Sequence, residues 1–101
     1  MSSLDEVFQR EVDELANRLL DLTKAELLSR PSFGTVEIDI KKNKIKVGYW
    51  LHEMSNNQHH IIFKACRRVF FFLHKTYISG IVIEANSSVR KMNNDESGEY
   101  D

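Results

Sequence analysis

Residues 55–77 read SNNQHHIIFKACRRVFFFLHKTY, and this stretch decides the predicted fold. Apolar side chains recur in it at the three- and four-residue spacing of an α-helix. Ser55 is a suitable N-cap residue, and Gln58 stands where a capping box requires it. We therefore predict a helix over these residues. Its apolar face comprises Ile62, Cys66, Val69, Leu73 and Tyr77, and its opposite face carries His60, Lys64, Arg67, Phe71, His74 and Lys75.

A second amphipathic pattern predicts a long helix from Ser3 to Ser29 near the N-terminus. Ser3 and Glu6 form a capping-box pattern at its start. Pro31 ends it, because a proline disfavours helical geometry at the preceding residue. The apolar stripe that would face a core consists of Phe8, Val12, Leu15, Leu19, Leu22 and Leu27.

Residues from Thr35 to Leu51 alternate between apolar and polar, which predicts a β-hairpin. We place a two-residue turn at Lys42-Asn43, because asparagine tolerates a positive φ better than most residues. This register gives each apolar residue an apolar neighbour and gives Asp39 a lysine. The predicted pairs are Ile40–Ile45, Asp39–Lys46, Ile38–Val47 and Val36–Tyr49.

Residues 81–85 read IVIEA and predict a third strand, so the element order is α-β-β-α-β. We expect an α+β domain over residues 1–86, built as a two-layer α/β sandwich. Its three-stranded mixed sheet would have both helices on one face, with a right-handed crossover between the second and third strands. Residues 87–101 contain few apolar side chains and end acidic, which predicts a disordered tail.

Composition places few limits on function. The chain of 101 residues has a net charge of −1, but residues 31–92 hold ten bases against four acids, and both ends are acidic. A single cysteine excludes an intramolecular disulfide, and the longest apolar run is too short to span a bilayer. The N-terminus lacks a secretory pattern, so we expect a cytoplasmic protein. Richness in Lys, Asn, Ile and Phe suits, by association, an AT-rich bacterial genome.

The face of the predicted sheet that points away from both helices is the first candidate site. No helix remains to cover this face, and it carries mixed charge around a lone tryptophan. Such a surface suits a protein partner, and the mixed charge suits a second copy of the chain, so we expect a homodimer. The alternative is that the tryptophan packs against a loop at the sheet margin. The candidate interface residues are Glu37, Asp39, Lys44, Lys46, Trp50 and Glu84.

The basic face of the predicted second helix is the rival site, and it would make the protein a nucleic-acid-binding module. An ordinary solvated helix surface explains the same charges. The candidate residues are Lys64, Arg67, Arg68, Phe71 and Lys75.

Catalytic signatures are missing from the sequence, so we expect a non-enzymatic interaction protein without a cofactor. His52, Glu53, His59 and His60 lack the spacing of a metal site. Cys66 lies on the predicted apolar helix face, where a thiol is an inert core residue rather than a nucleophile.

Overall fold

The computed structural model describes residues 4–68 and 73–100. Its centre is a five-stranded sheet in which neighbouring strands are antiparallel and follow chain order from β1 to β5. The elements are α1 (Leu4–Leu19), α2 (Lys24–Leu28), β1 (Phe33–Ile40), β2 (Asn43–Glu53), β3 (His59–Arg68), β4 (His74–Ile83), β5 (Val89–Lys91) and α3 (Asn94–Gly98).

The prediction of a helix over residues 55–77 is wrong, and so is the three-stranded mixed sheet with two helices on one face. Residues 59–68 and 74–83 are instead the antiparallel strands β3 and β4. Ile61 and Ile62 are both buried, although successive strand residues point to opposite faces, so both faces of β3 are covered. A strand covered on both faces has a continuous apolar run, which periodicity alone does not separate from a buried helix.

Two loops of the same design connect β2 to β3 and β4 to β5. In residues 54–58 the Met54 amide donates to the Gln58 carbonyl (2.7 Å), and Asn57 has φ 65°. In residues 84–88 the Glu84 amide donates to the Ser88 carbonyl (2.8 Å), and Ser87 has φ 74°. In both loops the asparagine at the third position accepts from the amide two residues later. Ser55, predicted to begin a helix, therefore lies in a strand connection.

The β1–β2 hairpin is confirmed, but its predicted register is wrong by two residues. The pairs are Ile38 with Ile45 and Val36 with Val47, and the turn residues are Lys41 and Lys42. Both lysines have positive φ, 49° and 71°, as a type I′ turn requires. A shift of two residues keeps every side chain on its predicted face, since strand side chains alternate with period two.

Within the described residues one long helix, α1, covers one face of the sheet and packs mainly against β4 and β3. The described part of the helix predicted over residues 3–29 forms two helices, and Ser3 lies outside the described residues. Thr23 caps the second one: its hydroxyl accepts from the Glu26 amide, and its own amide donates to the Glu26 carboxylate. The buried apolar side chains between α1, α2 and the sheet are Phe8, Val12, Ala16, Leu19, Leu27, Ile40, Val47, Tyr49, Ile61, Phe63, Ala65, Tyr77, Ile81 and Ile83.

The two outer edges of the sheet differ. Among the described residues, no strand pairs with the outer side of β1. On β4, β5 pairs with residues 81–83, and the Met92 amide donates to the Gly80 carbonyl (2.9 Å). Beyond that point the Gln9 side-chain amide donates to the Ile78 carbonyl (3.0 Å). A side chain of α1 thus occupies a backbone acceptor that would otherwise face a groove along β4.

Candidate interaction face

The sheet face opposite α1, called the second face below, has two parts. The part formed by β1 and β2 is uncovered and is called the open face. The part formed by β3 and β4 is covered by α3 and Tyr100, which follow the edge strand β5; residues 89–100, comprising β5, α3 and Tyr100, are called the strap. The open face carries Phe33, Thr35, Glu37 and Asp39 on β1 and Lys44, Lys46, Gly48 and Trp50 on β2.

Acidic and basic side chains of the open face form separate columns. The register sets Glu37 beside Lys46 and Asp39 beside Lys44, so β1 supplies the acids and β2 supplies the bases. All four side chains are exposed. Opposite charges that are directly paired across strands stabilise a hairpin modestly. Four of the predicted interface residues are thus neighbours on one exposed surface, and their role in an interface stays a prediction.

Two aromatic side chains continue the same columns. Phe33 pairs with Trp50, and their exposed fractions are 72% and 40%. The Trp50 ring lies directly over Gly48, because a Cβ atom built on that glycine would be 2.4 Å from the indole. A cavity of about 210 Å³ adjoins the indole and is lined by Trp50, His52, Ile62, Lys64 and Tyr100. The open face therefore combines an aromatic end with a charged end.

The strap covers a histidine that points away from α1. His60 is only 3% exposed, and its Nδ1 atom lies 2.8 Å from the Tyr100 hydroxyl. Its Nε2 atom is buried and has no hydrogen-bond partner in the described chain. Burial lowers the pKa of His60 from its ordinary value of 6.5, although the negative charges of Glu96 and Glu99 oppose the shift.

An arginine joins the strap to the loop after β4. The Arg90 guanidinium donates to Glu84 (2.6 Å) and forms two bonds of 2.7 Å with Glu96. Arg90 and the Asn93 backbone lower the pKa of Glu96 to about 2. Glu84, predicted as an interface residue, also accepts from Gln58 (2.7 Å), so it belongs to this cluster and not to the open face.

The predicted nucleic-acid-binding residues do not share one surface. Lys64 is on the second face and donates to the Tyr100 carbonyl (3.3 Å). Arg67 and Lys75 point toward α1, and both bind the Asp5 carboxylate. Arg68 is exposed at the end of β3, and Phe71 lies outside the described residues. Nucleic-acid binding stays a prediction.

Asp5 links the start of α1 to β3 and β4. Its carboxylate accepts from Lys75 (2.7 Å), the Tyr77 hydroxyl (2.5 Å) and Arg67 (2.8 Å). These three contacts, with that to Lys75 the largest, hold the pKa of Asp5 well below its ordinary value of 3.8. Arg67 and Lys75, which were predicted to lie on a basic helix surface, are therefore paired with an acidic residue of α1.

The prediction that Cys66 is a core residue is wrong, because the thiol is exposed. Its position on β3 puts it on the same face as Lys64, not on the buried side of a helix. Where the structure describes the chain, no group of three or more His, Cys, Asp or Glu residues could hold a metal ion.

Sequence reasoning missed Phe33, His60 and Tyr100 as residues of the second face. Phe33 lies outside the predicted hairpin of Thr35 to Leu51, although it extends the alternation of β1 by one step. His60 was given to a helix surface, and Tyr100 to a tail whose acidic composition gave no signal of a contact with β3. Residues 89–91 and 94–98 of that predicted tail form β5 and α3. Disorder of residues 87–101 in solution stays a prediction.

Within residues 4–68 and 73–100, every helix is too short or too polar to cross a membrane. Comparison with protein-family models, curated proteins and solved structures gave no match.

Proposed function

We propose that the protein is a small non-enzymatic interaction protein that forms a homodimer through its open face. The observation that carries the proposal is the register of β1 and β2, which puts each acid of β1 at the level of a lysine of β2. A column of acids beside a column of bases can complement itself in a second copy, as an isologous interface requires.

The matching follows from one rotation. A two-fold axis that runs along the hairpin, midway between β1 and β2, places β1 of one copy over β2 of the other. The rotation keeps each residue at its level along the strands, so ladder partners become partners between copies. Glu37 then faces Lys46 of the second copy, Asp39 faces Lys44, and Phe33 faces Trp50. Two sheets stacked in this way lie about 10 Å apart.

The two ends of the face have different roles in this arrangement. Phe33 and Trp50 would supply most of the apolar area removed from water, and aromatic anchors are frequent where binding energy concentrates. The charged end would select the partner and its orientation, because a copy turned end for end sets like charges against each other.

Sedimentation equilibrium with charge-reversed variants tests the proposal. Glu37→Lys/Asp39→Lys makes both columns positive, and Lys44→Glu/Lys46→Glu makes both negative. We expect each variant alone to self-associate at least ~10-fold more weakly than wild type, a loss of about 1.4 kcal/mol. An equimolar mixture of the two should restore the dimer, since every contact between copies again joins opposite charges.

A four-fold variant that reverses all four charges is the matched control. It keeps the pairs within each hairpin and should form a homodimer, but it should not pair with the wild type. Monomeric wild type at high micromolar concentration would refute the proposal. A self-association of Lys44→Glu/Lys46→Glu as tight as that of the wild type would also refute it. That result would indicate a dimer formed along the outer edge of β1, because such a dimer does not involve β2.

A further inference from the structure

The strap covers side chains that α1 cannot reach. Ile62 and Val82 are buried, yet they point to the second face, away from α1. Met92 packs on Gly80, with its terminal atoms 3.2–3.3 Å from where a Cβ atom would be. α3 lies against β4, and the Tyr100 ring contacts the His60 ring at 5.9 Å between centroids. The strap is therefore the cover of this part of the sheet.

The strap contributes few apolar side chains of its own, and none of its residues is fully buried. β5 has three residues and α3 has five, and none of the residues of α3 is buried. The contacts beyond β5 are mainly polar: Arg90 with Glu96, Lys64 with the Tyr100 carbonyl, and His60 with the Tyr100 hydroxyl. Segments with little buried apolar area open locally at a lower free-energy cost than core strands.

Exposure to water would change the protonation and hydration of His60, which lies under the strap. In the tautomer whose Nδ1 donates to the Tyr100 hydroxyl, Nε2 is unprotonated and buried without a partner, so the second proton would be a buried, unpaired donor in the covered state. Once the strap lifts, the same nitrogen can be protonated and solvated. Around the ring, Glu96 and Glu99 of the strap favour the proton, while Arg90 of the strap and His52 of β2 oppose it.

We propose that residues 89–100 are an acid-released cover of the second face, with His60 as the titrating residue beneath it. Release would expose Ile62, which pairs with Trp50, and Val82 on the far side of β3, so that the open face gains an apolar extension. The switch is independent of dimer formation, whereas the use of the enlarged face by a second copy rests on the proposed function.

The sign of the pH dependence follows from the two states. The covered state has a His60 pKa below 6.5, and the released state has the ordinary value. The covered state is therefore most favoured above about pH 6.5, and it becomes less favoured as the pH falls below that value. The population of the released state should rise by up to about tenfold per pH unit until the pKa of the covered state is reached.

Hydrogen exchange at pH 7.5 and 5.5, corrected for the intrinsic rate at each pH, tests the proposal. The Met92 amide, which donates to Gly80, reports on the strap, and the fluorescence of Trp50, the sole tryptophan, reports on the adjoining cavity. We expect protection at pH 7.5 and at least ~3-fold less protection at pH 5.5. His60→Gln should abolish the difference, because glutamine does not titrate.

His52→Gln is the matched control, since His52 is an exposed histidine that lies 5.4 Å from the Tyr100 ring between centroids. It should keep the pH transition. If His60→Gln does not fold, an NMR titration of the wild-type imidazole answers the same question: its pKa must be below 6.5 and its titration must accompany loss of strap protection.

Three results would overturn the proposal: an unprotected strap at pH 7.5, equal protection at both pH values, or an unchanged transition in His60→Gln. The Lys44→Glu/Lys46→Glu variant distinguishes failure of the strap proposal from failure of the homodimer proposal. Strap release must persist in that variant, whether or not the wild type self-associates.

Discussion

Replacing Gly80 by alanine tests the pairing of β3 with β4 directly. A Cβ atom at this position would be 2.4 Å from the carbonyl oxygen of Ile61, a backbone atom of the neighbouring strand. Backbone cannot rotate away as a side-chain end can, so β3 and β4 must move apart locally. Forcing extra atoms into a packed interior typically costs about 1–3 kcal/mol. A domain of this size should then lose roughly 5–20 °C in Tm.

Gly34→Ala is the matched control for this experiment. A Cβ atom at Gly34 would meet nothing within 4 Å, and its φ is not positive, so alanine fits the existing backbone. The substitution should leave stability unchanged or raise it by up to about 1 kcal/mol, because alanine restricts the unfolded chain. Both variants are measured by urea unfolding and by thermal unfolding followed by circular dichroism. Equal stability of Gly80→Ala and Gly34→Ala would refute the strand pairing.

Three other predictions address separate contacts. Gly48→Ala should displace the Trp50 indole and change its emission spectrum, with a smaller loss of Tm than Gly80→Ala, because the atoms it meets end a side chain. Cys66 should react with a thiol reagent in the folded protein at nearly the rate seen in denaturant, and strong protection would contradict its exposure. Asp5→Asn should destabilise the protein at neutral pH. The difference from wild type should narrow as the pH falls below about 4, because the lowered pKa of Asp5 stabilises the fold only while the carboxylate is charged, and an unchanged difference in acid would contradict the cluster.

The β-hairpin shows what strand alternation predicts and where it stops. The faces of Glu37 and Lys46 follow from alternation with period two, and they were correct. The register was not, because a shift of two residues leaves the same alternation. Turn chemistry should have decided it, but the turn uses Lys41 and Lys42 at positive φ and puts Asn43 in the strand. A positive φ is energetically unfavourable for lysine, so the residue preferences of turns favoured the wrong pair, Lys42-Asn43.

The misassigned stretch over residues 55–77 had a different cause. Its apolar residues are so dense that they match a helical stripe and a doubly buried strand equally well. Two signals favoured strands: the β-branched and aromatic composition of Ile61, Ile62 and Phe63, and the turn-forming run Asn56-Asn57. A capping-box pattern at Ser55 outweighed them. Two capping boxes do form: Thr23 with Glu26 marks the break between α1 and α2, and Asn93 with Glu96 marks the start of α3.

The strap could not be predicted from local pattern, since its contacts join residues far apart in the chain. Arg90 with Glu96 is readable from sequence only as a charge pair near the C-terminus, and Tyr100 reaches His60 across 40 residues. The low apolar content of residues 87–101 predicted a disordered tail, but a weakly held covering segment has the same composition.

The Gln9 contact with the Ile78 carbonyl limits how copies of this protein can polymerise. Fibril growth by sheet extension needs an unpaired edge strand on both sides of the sheet of every copy, so that each added copy presents a new edge strand for pairing. Here β5 has three residues and the Gln9 amide occupies the Ile78 carbonyl, so among the described residues the long unpaired edge is that of β1. Two copies paired along β1 would expose only short or obstructed edges, which disfavours further growth by sheet extension.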